Sequence, residues 1–204
     1  MSIYALKTRF QGLLRPLVRE LPDLGFTANQ VTLTAAVLSL LAAAVIYHFA
    51  PAQAWLYLVL PVWMLLRMAL NAIDGMLARE FGQQSRLGAY LNELCDVLAD
   101  VALYLSLASL PGVHVAWLAL MAGLAVLTEY AGVLGLMVGA SRRYDGPMGK
   151  SDRALVIGVI GLLLALGWID ASVIDGVAIV VAVLCTVTIW RRVRAGLVEG
   201  LRQA

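Results

Sequence analysis

Long apolar stretches separated by short polar ones organise this chain. The run from Val31 to Phe49 contains no Asp, Glu, Lys or Arg and is long enough to cross a bilayer as a helix. The same length argument predicts further spans over about 53–79, 87–110, 114–140, 153–169 and 173–190, six in all. Ahead of them, Ile3, Leu6, Phe10, Leu13, Leu14, Leu17, Val18 and Leu21 recur at helical spacing, with Lys7, Arg9, Arg15 and Arg19 elsewhere around the helix. That pattern predicts an amphipathic helix lying in the headgroup plane, ended by Pro22 and Gly25. Thr27 or Asn29 is placed to cap the first span. The expected fold is an all-α integral membrane protein with a single membrane domain. It comprises an interfacial helix over 1–24, six transmembrane helices over 31–190 and a basic cytosolic tail over 191–204.

Composition excludes the soluble classes, since 62% of the 204 residues are apolar and the mean hydropathy is +0.87. Charge then orients the spans. Lys7, Arg9, Arg15, Arg19, Arg79, Arg86, Arg142, Arg143, Lys150, Arg153, Arg191, Arg192, Arg194 and Arg202 fall on one side of the six-span arrangement. The opposite loops, 50–53, 111–114 and 170–175, carry no Lys or Arg, so the positive-inside rule predicts cytosolic termini. Trp55, Trp117 and Trp168 fall at the outer helix ends, as in an aromatic belt, and His48 and His114 read as solvated residues of that rim. The first thirty residues lack the uninterrupted apolar core of a cleavable signal peptide. Cys95 and Cys185 lie far apart in apolar runs and read as packing residues.

Against this background the stretch Asn71 to Asp100 stands out, because ionisable groups flanked by membrane-length apolar runs are costly and mark functional sites. Asn71, Asp74 and Ala78 share one helical face, and Gly88, Asn92, Asp96 and Asp100 form a stripe on the next helix. The short connection predicts antiparallel neighbours. A helical rise of about 1.5 Å per residue puts Asn71, Asp74, Asn92 and Asp96 at matching depths, with Glu93 level but rotated away. Deeper, at roughly 17–21 Å, the same count gathers Arg67, Asp100 and Glu129, which predicts a supporting ion network. Carboxylate and amide oxygens suit Mg²⁺, Mn²⁺ or Ca²⁺. A polar network that only fixes helix pairing reads the same spacing equally well. Gly75 and Gly88 allow close approach of a nucleotide or phosphate, or of another helix. Arg142, Arg143, Lys150 and Arg153, around the Gly146-Pro147-Met148-Gly149 turn, form a candidate phosphate-binding cluster.

The pattern Asn71-x-x-Asp74-Gly75-x-x-Ala78-Arg79, eight residues, then Gly88-x-x-x-Asn92-x-x-x-Asp96 closely resembles the CDP-alcohol phosphotransferase signature DxxDGxxAR, eight residues, GxxxDxxxD. The departures, Asn71 and Asn92, are those of a bacterial branch of that family, which the chain resembles. The basic N-terminal helix, the Thr27-to-Leu33 entry and the six-helix count extend the likeness over nearly the whole chain.

The resemblance implies transfer of a phosphatidyl (substituted phosphate) group from a CDP-linked lipid, expected to be CDP-diacylglycerol, to a polar alcohol acceptor. CMP is released at a cytosol-facing site, the setting is phospholipid synthesis in a bacterial cytoplasmic membrane, and the protein is expected to be a homodimer. By the same resemblance Asp74 and Asp96 are metal ligands and Asp96 the base toward the acceptor hydroxyl. Gly75, Ala78, Arg79 and Gly88 shape the nucleotide pocket. Asn71 and Asn92 stand at metal-binding positions, each with a carbonyl oxygen but without the charge. One Mg²⁺ or Mn²⁺ is expected, or a second held weakly with help from Glu93 or the donor pyrophosphate. The acceptor is expected to bear phosphate if Lys150 and Arg153 bind it. Two other functions fit the residues: a CDP-lipid-binding accessory protein with impaired catalysis, and an ion-coupled transporter using Glu93, Asp96, Asp100 and Glu129 as a relay.

Overall fold

The computed structural model describes residues 3–203, with side chains over residues 10–201. The described residues form seven α-helices, α1 (Ile3–Glu20), α2 (Ala28–Phe49), α3 (Val59–Glu80), α4 (Arg86–Leu105), α5 (Val115–Leu134), α6 (Lys150–Ala165) and α7 (Ala171–Gln203). Short 3₁₀ turns precede α3 and follow α4 and α5. Four stretches have the length and apolarity to cross a membrane: Ala28–Phe49, Ala54–Glu80, Val115–Val138 and Ala171–Leu201. Of the six expected spans, four are thus supported. Helix α4 carries Arg86, Glu93, Asp96 and Asp100, and α6 has only 16 residues, short of the roughly 20 a perpendicular span needs. Helix α7 also runs through the stretch expected to be a separate basic tail.

Two compact units emerge, one of residues 1–40 and 65–99, the other of residues 41–64 and 100–204. The divisions between them fall inside α2, α3 and α4.

In the first unit, Thr27 caps α2 reciprocally. Gln30 N donates to Thr27 Oγ1 at 3.3 Å, and Thr27 N donates to Gln30 Oε1 at 2.9 Å. Gln83 Oε1, from the turn after α3, accepts from Ala28 N at 2.7 Å. Both contacts satisfy amides that a helix start leaves without intrahelical partners. Val18 of α1 is buried with Ala28 and Val31 of α2 and with Ile73, Met76 and Leu77 of α3. Arg15 reaches Glu80 at 3.0 Å. Leu13 and Leu17, on another side of α1, are exposed. The predicted amphipathic-face residues Ile3, Leu6, Lys7 and Arg9 lie outside the described side chains, as does Arg202.

Apolar packing dominates the second unit, where Ile46, Leu60, Leu103, Leu107, Leu118, Met121, Ile157 and Cys185 are almost fully buried. Its connection from 139 to 149 lies against α5 and α7 because small residues admit it. A Cβ on Gly132 would stand 2.6 Å from Arg143 O, so no other residue fits there without moving the backbone. His114 is not merely solvated: its ring meets Asp175 at 2.6 Å, and its backbone N donates to the same carboxylate at 3.0 Å. Cys95 and Cys185 are both free.

Candidate functional site

In the first unit, α3 presents Arg67, Asn71, Asp74 and Ala78 at spacings of three and four residues, and α4 presents Gly88, Asn92 and Asp96. These helices bring Asn71 to Asp96, with Asn71 Nδ2 donating to Asp96 Oδ1 at 3.0 Å. Arg67 donates through one nitrogen to the same oxygen at 3.1 Å and to the Asp96 carbonyl at 2.8 Å. Arg67 is 4% exposed, so its charge requires this kind of partner. Asp74, also buried, accepts from Thr32 Oγ1 of α2 at 2.8 Å. Thr32 additionally donates to Ala28 O at 3.1 Å, which bifurcates its hydroxyl between α2 and Asp74. Asn92 and Glu93 are half-buried one turn before Asp96.

The two glycines play separate roles. A Cβ on Gly88 would lie 2.7 Å from Asn29 Oδ1, so Gly88 admits the Asn29 side chain against α4. Gly75 lies beneath Arg79, whose guanidinium nitrogens would stand 3.0 and 3.2 Å from a Cβ at that position. Arg79 therefore folds back over its own helix, with its head beside Gly75.

Among the described residues no three Asp, Glu, His or Cys side chains converge as a ready metal cage. The donor set of Asp74, Asp96 and the amide oxygens of Asn71 and Asn92 is nevertheless all oxygen, as a hard cation prefers. Arg67 pairs with one of its two formal negative charges, that of Asp96.

The second unit holds another polar cluster, built on Glu129 of α5. Arg153 of α6, 1% exposed, meets Glu129 at 2.8 Å and Asp100 at 3.6 Å. Its remaining N–H groups face Thr128 Oγ1 at 2.8 Å, Met148 O at 3.0 Å and the Tyr104 hydroxyl at 3.3 Å. Arg192 of α7 and Arg142 each approach the other Glu129 oxygen at 3.4 Å. Arg143 instead pairs with Asp145 at 2.9 and 3.1 Å and with Glu199. Hydrogen bonds from the Arg143 guanidinium hold the Asp145 carboxyl below the usual range. Lys150, half-buried, starts α6.

Of the expected trio Arg67, Asp100 and Glu129, the last two gather around Arg153 within the second unit, and within the first unit Arg67 contacts Asp96. Arg153 and Arg142, expected at an acceptor phosphate, point into the Glu129 cluster, and Arg143 is engaged by two carboxylates. Thr32, Thr128, Tyr104 and Arg192 were not identified from sequence. Hydroxyl groups are unremarkable in apolar helices, and Arg192 was hidden within a generally basic helix end.

The CDP-alcohol phosphatidyltransferase family profile matches residues 26–190. The chain is similar to the inner membrane protein YnbA of Escherichia coli strain K12, with 48% identity over 166 residues, covering 81% of this chain and 82% of YnbA. It is also similar to the archaetidylinositol phosphate synthase of Aeropyrum pernix, with 32% identity over 143 residues, covering 68% of this chain and 71% of that enzyme.

Proposed function

Because the chain belongs to the CDP-alcohol phosphatidyltransferase family, we propose that it transfers a phosphatidyl group from a CDP-linked lipid, CDP-diacylglycerol by preference, to a polar alcohol with release of CMP. The observation that carries this reading is the orientation of Asp96 by Arg67 and Asn71 at the last acidic position of the family pattern.

The acceptor hydroxyl oxygen forms a bond to the lipid-bearing phosphorus as the bond from that phosphorus to the oxygen of CMP breaks. Asp96 takes the hydroxyl proton, and Arg67 and Asn71 hold its carboxylate in place. Thr32 fixes the rotamer of Asp74 by its hydrogen bond. Arg79, over Gly75, offers a guanidinium to the donor diphosphate, and Gly88 and Ala78 keep the pocket wall low. One Mg²⁺ or Mn²⁺ would be held by Asp74 and Asp96 with amide oxygens of Asn71 and Asn92, and would neutralise charge on the diphosphate and departing CMP. A second ion, held weakly, would draw on Glu93 or the donor diphosphate.

The acceptor is a polar alcohol, and the archaetidylinositol phosphate named in the archaeal relative favours a phosphorylated polyol. Lys150, Arg153, Arg142 and Arg143 are the predicted phosphate ligands, the three arginines also facing protein acceptors. The four long apolar helices, with α4 and α6 completing the six crossings, and the name of the bacterial relative favour a multi-pass protein of the bacterial inner membrane. Both termini and the site face the cytosol in this reading, as the arginine distribution favours. The protein works as a homodimer.

A second reading rests on Asp96 already accepting hydrogen bonds from two donors, which weakens it as a base. The chain would then bind CDP-lipid without turnover. Incubating purified protein with CDP-diacylglycerol, Mg²⁺ or Mn²⁺ and a panel of alcohols decides between them. CMP release above that of Asp96→Asn supports transfer; metal-stimulated binding with no release above that control leaves only the accessory role.

A further inference from the structure

Helix α7 is longer than a membrane crossing requires. Counting about 20 residues, one hydrocarbon thickness, from Ala171 reaches Trp190, an exposed tryptophan at the level where aromatic belts lie. Arg191 and Arg194 follow immediately, at headgroup depth, and both are exposed. The Arg194 guanidinium stands over the Trp190 ring at 5.6 Å.

Two grooves run along this helix. The first, between α6 and α7, is lined only by apolar residues, among them Val177, Val180 and Leu184. The second, beside the Asp145-Gly146 turn, is lined by Trp190, Arg191 and Arg194. Positions 177, 180, 184, 191 and 194 follow one another at intervals of three, four and seven residues, so they share one helical face. An apolar furrow at acyl-chain depth therefore leads into a cationic, aromatic one at phosphate depth. Asp145 in the second groove does not oppose an anion strongly, because Arg143 pairs with its carboxylate at 2.9 and 3.1 Å.

We propose that this face of α7 binds one anionic phospholipid from the leaflet at the arginine-rich end. An acyl chain lies along Val177, Val180 and Leu184, and the phosphodiester sits at Arg191 and Arg194. This occupant satisfies both halves of the face at once. A second copy of the chain, docked through the same face about a two-fold axis along the membrane normal, would set Arg191 and Arg194 against their own images. A zwitterionic lipid fills the apolar furrow but brings its own cation to the arginines. The proposal goes beyond the transfer reaction and stands whether or not the chain turns over a CDP-lipid.

The experiment uses the full chain with Trp55, Trp63, Trp117 and Trp168 changed to Phe, leaving Trp190 as the sole reporter. It is reconstituted in phosphatidylcholine vesicles that contain either phosphatidylglycerol or phosphatidylcholine with brominated acyl chains, at equal fraction. Selective quenching by the brominated phosphatidylglycerol is expected, with a preference of about fivefold per arginine. Arg191→Gln/Arg194→Gln should abolish the preference while leaving quenching by brominated phosphatidylcholine, which also shows that the variant is inserted. Arg191→Lys/Arg194→Lys should retain much of the preference. Equal quenching by the two lipids overturns the proposal in favour of unselective bilayer contact. Absence of quenching by both overturns it in favour of a protein-covered face. Displacement of phosphatidylglycerol by CDP-diacylglycerol, but not by equal phosphatidic acid, overturns it in favour of a donor site.

Discussion

Arg67 contacts Asp96 twice, through the carbonyl at 2.8 Å and the carboxylate at 3.1 Å, so one buried guanidinium fixes both the backbone and the side chain of the candidate base. The second contact matters for charge, and the first for position. Asn71 completes the arrangement from one turn farther along α3, at 3.0 Å.

Removing Arg67 should therefore cost more than removing the pair. Arg67→Met leaves Asp96 without its guanidinium partner and is expected to lower stability by about 3 kcal/mol, whereas Arg67→Met/Asp96→Asn recovers a large part of that loss. Thermal unfolding of the three variants in one detergent measures the coupling. Additive losses would show that the contact contributes little.

Thr32→Val tests the other carboxylate. The variant keeps the shape of the side chain but removes the hydrogen bond to Asp74 at 2.8 Å, and a hydrogen bond to a charged group is worth about 1.5–3 kcal/mol. CMP release by the variant is expected to fall about tenfold if the Asp74 rotamer matters to transfer. Unchanged release with a lowered melting temperature would confine Thr32 to a structural role.

Part of this site could be read from the chain, and the reason is chemical. Carboxylates and asparagines at three- and four-residue spacing in an apolar background admit few arrangements, and the contact of Asn71 with Asp96 is one of them. Hydrocarbon thickness likewise makes long apolar helices countable, and four of the six expected spans have the length and apolarity to cross. The partner of each charge is not countable in this way, because depth along a helix can be counted while its rotation depends on packing. Arg67 contacts Asp96 within its own unit, and Arg153, 1% exposed at Glu129, has partners that its place in the sequence beside a basic loop does not reveal.

Glu129 is the common partner of Arg142, Arg153 and Arg192. Glu129→Gln keeps the shape but leaves three guanidinium groups with less compensation, and a loss of about 3–5 kcal/mol is expected. Arg153→Met should be similarly damaging, because Glu129 and Asp100 then lose a shared cation. Denaturation of the two single variants and the double variant tests this, and a double variant no more stable than the sum of the single losses refutes the cluster as a unit.

Acid should release the connection from 139 to 149. Asp145 is held below the usual carboxyl range first by its hydrogen bonds from Arg143. Because its folded value is depressed, its contribution is present above the unfolded carboxyl range and is lost as pH falls through the folded value. Hydrogen exchange in this segment is expected to be constant near neutrality and to rise only below the ordinary carboxyl range. Asp145→Asn should shift the exchange at neutral pH toward the acid value; a rise centred near neutrality would contradict the assignment.

Restoring carboxylates at the two asparagines should change the metal dependence in opposite directions with and without the ion. In Asn71→Asp the amide that now donates to Asp96 is replaced by a second carboxylate at about the same 3.0 Å distance, and Arg67 cannot neutralise both. Without divalent metal the variant is therefore expected to melt at a lower temperature than the parent, since like charges held this close oppose each other. Added Mn²⁺ should then raise its melting temperature by more than it raises the parent's, because the new oxygen ligands gain a cation. Asn71→Asp/Asn92→Asp should bind a larger metal complement than the parent, measured on the purified protein after removal of free ion. A melting temperature that responds to Mn²⁺ no more in these variants than in the parent would show that the asparagine positions do not face a metal site.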